Sequence, residues 1–282
     1  MSGTLYVVAT PIGNLEDITL RALRVLREVD VIAAEDTRRS ARLLSHHGIA
    51  TRTISFHEHN ARSRVAQLIS RLEDGESVAI VTDAGTPGVS DPGLELVREA
   101  IEKGIRVDPI PGASAPLAAL VASGFEVMPF TVFGFVPSRV SARQSWLEEI
   151  SQTPHTFSFF EAPHRIQATL RQASVIFGER PIAAARELTK LHQELLRGTA
   201  SELAEQISDP RGEFTIVVGP AAKRLHTGEI RLSDEEVARE FCRITETGGV
   251  SRRQVVTELA RKSGRSARDV YSAIERAKKF GM

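Results

Sequence analysis

Between Leu5 and Gly124 the chain alternates short apolar, β-branched runs with stretches whose apolar residues recur at helical spacing. LYVVAT, VIAAE, TISF, SVAIV and RVDPIP have the first character. ITLRALRVLREV, RRSARLLSHH, ARSRVAQLISRLEDG, LELVREAIEKG and APLAALVASG have the second. Strands and helices in strict alternation at this spacing predict a mostly parallel α/β sheet. In the first helix Ile18, Leu20, Leu23, Val25 and Leu26 mark the apolar face. Thr37 is expected to cap the second helix, and Gly48 and Gly104 to end the second and fourth.

From about Phe130 the pattern changes. FTVFGFVP, HTFSFFEA, PIAAARELT, HQELLRGT and EFTIVVG are five strand candidates with fewer helices between them, which predicts a second, mixed α+β domain. PAAKRLHTGE, 220 to 229, has the polarity of a linker. The tail is helical. Ser251 and Ser266 are its expected caps, Gly264 separates two short helices, and Val255, Leu259 and Ala260, then Val270 and Ile274, form their apolar stripes. The expected organisation is therefore an N-terminal α/β domain over 1–124, an α+β domain over 125–222 and a helix-turn-helix-like module over 230–282.

Lys+Arg equals Asp+Glu over the 282 residues, so overall charge points to no acidic partner. The tail differs: nine Lys/Arg stand against four Asp/Glu between Thr245 and Met282. That balance fits RNA contact as well as a solvated helical face. A single cysteine, Cys242, cannot form an internal disulfide and suits a reducing compartment. No run approaches the roughly 20 apolar residues of a membrane span. A cytoplasmic protein is expected.

Three loops between a strand and a helix concentrate glycine and proline: TPIGN from Thr10, TDAGTPGVSDPG from Thr82, and PIPGAS from Pro109. Ligands of open α/β sheets sit at such strand ends, beside free N–H groups at helix starts. No G-x-G-x-x-G follows the first strand and no G-x-x-x-x-G-K-[ST] occurs, which excludes the dinucleotide fingerprint and the P-loop. None of the three loops contains Lys or Arg, a poor match to a polyphosphate. A ligand with one carboxylate, a cation and an adenosine suits them better. Asp91-Pro92 reads as a helix cap with proline in the first turn. Gly85 and Gly88 suit positive φ or a close backbone approach, and Asp83 suits either a turn or a ligand contact.

Other polar clusters are less specific. His57 and His59 in SFHEHN have no evident third ligand, so the rim of a substrate cleft is expected there and no metal site. EDTRR reads as an acidic helix start, with Arg38 in reach of a phosphate. FEAPHR and RELTK each follow a second-domain strand and mix cations with carboxylates. Covalent catalysis is not indicated by any Ser-His-Asp or Cys-His spacing.

Taken in order, TPIGNLEDIT, DAGTPGVSDPG and IPGASAPLAAL resemble the tetrapyrrole methylase-like superfamily. EDTRRSARLL, SFHEHN, FEAPHR and RELTK resemble its ribosomal RNA small-subunit methyltransferase I branch, from about Leu5 to Gly219. The first loop lacks the G-x-G-x-G-D-like pattern of many corrin-pathway relatives. The resemblance implies a two-domain α/β fold, a homodimer, and S-adenosyl-L-methionine bound between the domains. It implies 2′-O-methylation of a cytidine ribose in the decoding region of small-subunit rRNA, either naked or in the assembled subunit. By matching motif, cofactor contacts fall on Pro11, Ile12, Asp83, Ala84, Gly85, Thr86, Val89, Ser114, Ala115 and Phe160, and on the backbone near Ala184 and Ala185. Glu187 and Lys190 are the candidates for handling the hydroxyl proton, with Arg186 on a phosphate, and no metal is implied. A tetrapyrrole methyltransferase and a non-catalytic RNA-binding or ribosome assembly factor are the rival readings.

Overall fold

The computed structural model describes residues 2–57, 59–88, 93–208, 210–221, 234–246, 252–263 and 266–279. The chain divides into two compact units, Met1–Ala221 and Ala222–Met282.

The first unit holds two five-stranded sheets. Strands β1 (Thr4–Val8), β2 (Val31–Ala34), β3 (Thr53–Ser55), β4 (Val78–Val81) and β5 (Arg106–Ile110) are all parallel, in the order β3-β2-β4-β1-β5. Every residue of β2 and β4 is buried. This follows from helices on both faces, because alternate side chains of a strand point to opposite sides. Leu5, Val31, Ala33, Val78 and Ile80 pack with Val65, Leu68 and Leu72 of α3 (Ala61–Glu73) and Leu96 and Ala100 of α4 (Gly93–Glu102). Val8, Ile32, Ala34, Ala79 and Val81 pack on the other face with Ala22, Val25 and Leu26 of α1 (Leu20–Glu28).

Two expectations for these helices need correction. Leu20 is exposed, because α1 begins there and the side chain lies off the sheet-facing stripe. Helix α2 (Thr37–His46) is capped by Asp36 and Thr37 is its first residue: the Asp36 carboxylate accepts the Arg38 N–H at 2.8 Å. A carboxylate facing the positive end of the helix outcompetes a hydroxyl one position later.

The second sheet runs β6-β7-β10-β8-β9. Its strands are β6 (Phe130–Phe135), β7 (Thr156–Glu161), β8 (Ile182–Arg186), β9 (Glu194–Gly198) and β10 (Phe214–Val218). Only β6 and β7 are parallel, joined through α6 (Val140–Ser151); the remaining pairs are antiparallel. One face buries Phe157, Phe159, Phe214 and Ile216 against α6, α7 (Ile166–Phe177) and α8 (Ala200–Gln206). Each buried phenylalanine contributes about 1.5–3 kcal/mol of transfer free energy. The opposite face, with Ala183, Ala185 and Val217, packs on Ala119 and Leu120 of α5 (Ala115–Ser123). Helix α5 follows directly from the third glycine-rich loop, so one element ties the carboxyl edge of the first sheet to the face of the second.

The second unit contains α9 (Asp234–Glu246), α10 (Arg252–Ser263) and α11 (Ala267–Lys279). Its core holds Val237, Phe241, Val255, Leu259, Val270 and Ile274, with Ala260 packed against it. Ser266 caps α11, accepting the Asp269 N–H at 3.1 Å. Ser251, Gly264 and most of the expected linker lie outside the described residues. No described helix is long and apolar enough to cross a membrane.

Candidate active site

The three glycine-rich loops meet at the carboxyl ends of β1, β4 and β5. Thr10 and Gly85 exchange backbone hydrogen bonds at 2.9 and 3.1 Å, and the Thr10 hydroxyl donates to the Thr82 carbonyl at 3.0 Å. Gly85 and Gly88 both have φ of +88°, which the backbone permits glycine and few other residues. At Gly112 a Cβ would lie 2.9 Å from that of Ala9, so the third loop closes on the first only because the side chain is missing.

The loops wall a cleft of about 440 Å³. Its first-sheet side presents Ile12, Asp83 to Thr86, Ser114 and Ala115; its second-sheet side presents Phe135, Phe160, Ala162, Leu188, Ala185 and Thr215. Most of the motif-matched positions therefore converge on one cavity. Pro11 is buried beside it and does not line it. Ala184 faces the opposite side of the second sheet, within its core, so only its backbone is available on the cleft side. Val89, like Asp91 and Pro92, lies outside the described residues. Ser114 precedes α5 without making a side-chain capping bond, which leaves N–H groups at this helix start open to a ligand anion.

Several lining residues were not singled out by sequence reasoning. Glu35 follows β2, and its Oε2 accepts the Thr82 hydroxyl at 2.6 Å and the Asp83 N–H at 3.1 Å. Asp83 Oδ1 accepts the Asp36 N–H at 3.1 Å, and its Oδ2 pairs with Arg39 at 3.2 Å. Burial, reinforced by the Glu35 charge, raises the Asp83 pKa against the opposing pull of Arg39. EDTRR thus shapes the cleft as well as starting a helix. The usable signal was topological: β2 neighbours β4, so residues following the two strands meet. Arg38 is turned away, highly exposed and bonded to Asp36, whose carboxyl it holds down to about 2.

On the second-sheet side, Phe135 and Phe160 lie 5.0 Å apart, tilted by 43°. Glu161, next to Phe160, has a fully buried side chain. It accepts from the Thr169 hydroxyl at 2.5 Å, the Ala162 N–H at 2.7 Å and Arg165 Nη2 at 2.6 Å. Arg165 is thereby committed to holding FEAPHR together.

Glu187, Lys190 and Arg186 sit at the edge of the cleft and do not line it. Lys190 Nζ reaches Glu187 Oε1 at 2.7 Å and Glu213 Oε2 at 3.2 Å. Burial alone would raise the Glu187 pKa, but Lys190, the Glu213 N–H and Arg186 together lower it. Burial likewise opposes the charge on Lys190, and its two carboxylate partners outweigh that and raise its pKa. Arg186 donates to the Arg211 carbonyl at 2.7 Å and pairs with Glu194 at 3.4 Å. Glu187 and Thr189 have φ of +50° and +65°, a strained conformation for non-glycine residues and one that clusters at functional sites. The segment also docks on the first loop, where Thr189 Oγ1 accepts the Asn14 N–H at 3.0 Å. His57, by contrast, is tied to Asn60, and no cluster of three or more His, Cys, Asp or Glu suited to a metal occurs among the described residues.

The family model of tetrapyrrole (corrin/porphyrin) methylases matches residues 4–204. A protein of Halalkalibacterium halodurans named ribosomal RNA small subunit methyltransferase I is 42% identical over 96% of this chain and 94% of its own. The chain belongs to the tetrapyrrole methylase family, in its ribosomal RNA small subunit methyltransferase I branch. Proteins of the same name from Synechocystis (43% identity, 95% of this chain and 96% of that protein) and Mesorhizobium japonicum (51%, 77% and 75%) agree. Among solved structures, a diphthine synthase shares the fold of the tetrapyrrole methylases with a TM-score of 0.63 and 17% identity, over 77% of this chain and 90% of that one. Uroporphyrin-III C-methyltransferase of Thermus thermophilus does so at 0.56 and 21%, over 77% and 94%. The expected fold, a parallel α/β sheet with a second mixed sheet, is that of this family.

Proposed function

We propose that this chain transfers a methyl group from S-adenosyl-L-methionine to the 2′-oxygen of a cytidine ribose in the decoding region of small-subunit rRNA. It does so in the cytoplasm, as a homodimer. The observation that carries the cofactor reading is the chemistry of the cleft. Glu35 and Asp83 face it with one base among its lining residues, Arg39, which is already paired with Asp83, while the nearby Glu161 is taken up by Arg165 and Glu213 by Lys190. Such a lining favours a cationic, adenosine-bearing ligand over a polyphosphate. Its volume of about 440 Å³ lies within the roughly 300–1,000 Å³ of small-molecule sites.

Pro11 and Ile12, Asp83 to Thr86 with Val89, Ser114 and Ala115, Phe160, and the backbone at Ala184 and Ala185 would hold the cofactor. When bound, it supplies a methyl group on a positively charged sulfur. The protein's share of the chemistry is then alignment and disposal of one proton. The α5 start suits a carboxylate, the Phe135–Phe160 pair offers apolar faces, and Asp83 offers acceptors for hydroxyls. Glu187 and Lys190, with Arg186 behind them, stand at the edge of the cleft where the ribose hydroxyl would enter. The rRNA reading rests on relatives of that name at 42–51% identity.

The test is methyl transfer from radiolabelled S-adenosyl-L-methionine to small ribosomal subunits lacking the modification. Label in rRNA is expected. Label only in a tetrapyrrole acceptor, or no transfer to any acceptor, overturns the proposal.

A further inference from the structure

Three carboxylates and one ammonium group surround the RELTK segment, and their surroundings differ. Glu187 is largely enclosed: its Oε1 takes both the Lys190 ammonium at 2.7 Å and the Glu213 N–H at 3.0 Å. Lys190 lies between two carboxylates that keep it protonated, so it donates hydrogen bonds and does not accept a proton. Glu194 is engaged with Arg186. Glu213 alone of the three carboxylates around Lys190 and Arg186 lines the cleft; its side chain is 73% exposed and has Lys190 Nζ at 3.2 Å from Oε2.

The backbone of Glu213 is also unusually constrained. Its N–H donates to the Glu187 carboxylate at 3.0 Å, and its carbonyl accepts the Glu187 N–H at 3.0 Å. The residue before it, Gly212, has φ of +76°, and a Cβ there would stand 2.3 Å from the Glu187 carboxyl carbon. A glycine is therefore required for the Glu187 side chain to pass under the chain and reach its neighbour. The strained φ values of Glu187 and Thr189 belong to this same arrangement. Strain of this kind persists where surrounding contacts over-determine the geometry. Here the contacts converge on fixing Glu213.

We propose that Glu213 is the catalytic residue that accepts the proton of the attacking hydroxyl, with Glu187, Lys190 and Gly212 as positioning residues. The assignment rests on the methyl-transfer reading above. The ribose oxygen gains the methyl group as the methyl–sulfur bond breaks and its electron pair stays on sulfur. The O–H electron pair stays on oxygen, and the proton passes to the Glu213 carboxylate and then to solvent. A hydroxyl becomes strongly acidic as its oxygen acquires a third bond, so a positioned carboxylate can take its proton. Lys190 orients the acceptor through one oxygen and leaves the other free.

The test is single-turnover methyl transfer to small subunits lacking the modification, with S-adenosyl-L-methionine affinity measured calorimetrically on the same preparations. Glu213→Gln is expected to be slower by about 100-fold or more, the usual contribution of a positioned proton acceptor, with cofactor affinity within about twofold of the parent. Formate is expected to restore part of the rate of Glu213→Ala, and to do nothing for Glu187→Gln. Transfer by Glu213→Gln within about threefold of the parent rate overturns the assignment, as does a loss matched by an equal loss of cofactor affinity. No transfer by the unaltered protein overturns the functional reading itself, and this assignment with it.

Discussion

Replacing Arg165 by methionine should destabilise the first unit more than the loss of one ion pair on a surface would. The Glu161 side chain is fully buried and its carboxylate is neutralised by Arg165 Nη2 at 2.6 Å. Methionine fills much of the space and leaves the carboxyl without its cationic partner, supported only by the Thr169 hydroxyl and the Ala162 N–H. An exposed pair is worth about 0–1 kcal/mol, whereas breaking a buried pair costs about 3–5 kcal/mol. At about 2–4 °C per kcal/mol for a unit of this size, the thermal midpoint should fall by about 6–20 °C. Because Phe160, Ala162 and Pro163 line the cleft, cofactor affinity should fall in parallel. Differential scanning calorimetry of Arg165→Met and of Arg165→Met/Glu161→Gln checks this. The double variant should recover most of the loss, since an amide keeps the acceptor and removes the charge. A loss below about 1 kcal/mol in the single variant, or a double variant no better than the single, would refute the reasoning.

Four further outcomes are expected. Gly13→Ala should cost about 1–3 kcal/mol in chemical denaturation and slow methyl transfer, because a Cβ there meets Lys190 Cγ at 2.5 Å and Thr189 Oγ1 at 2.7 Å. Asp83→Asn should raise the ligand-free thermal midpoint at neutral pH while weakening cofactor binding. The raised Asp83 pKa means that stability is lost as pH rises through it, and the amide removes that loss. Lys190→Met should destabilise most between about pH 5 and 10, measured by denaturation across pH. The Glu187 contribution fades as pH falls through its lowered pKa, and the Lys190 contribution fades as pH rises through its raised one. Deleting residues 230–282 should weaken RNA binding, measured against salt, more than cofactor binding; equal losses would make the tail a folding element.

The parallel sheet was legible because its strands are continuous apolar runs punctuated by glycine-ended helices. Two second-sheet strands, β7 and β10, were legible for a related reason: FTIVV and TFSFFE carry little besides β-branched and aromatic side chains. The three loops stood out from glycine content and from the cations they lack, and they meet at one cleft. What escaped was pairing across long sequence separations. Glu35 looked like an ordinary helix start, and only the β2–β4 adjacency brings it onto Thr82 and Asp83, about fifty residues on. Glu213 looked like the first residue of a strand, and nothing local announces that Glu187 grips its backbone from both sides. Asp36 displaced Thr37 as the α2 cap through a one-residue difference that sequence periodicity does not resolve. Arg38 was an attractive phosphate contact by composition, yet it is committed to a carboxylate of its own segment, as is Arg165.

The central claim is that this cleft delivers a methyl group to a ribose oxygen of small-subunit rRNA. Its most direct test is alkaline hydrolysis of rRNA from subunits labelled by the purified protein with tritiated methyl donor. A 2′-O-methyl group removes the internal nucleophile needed to cleave the adjacent phosphodiester. The account predicts that the label survives hydrolysis in a single dinucleotide whose 5′ residue is cytidine. Label released entirely as mononucleotide, which places the methyl on a base, would contradict it.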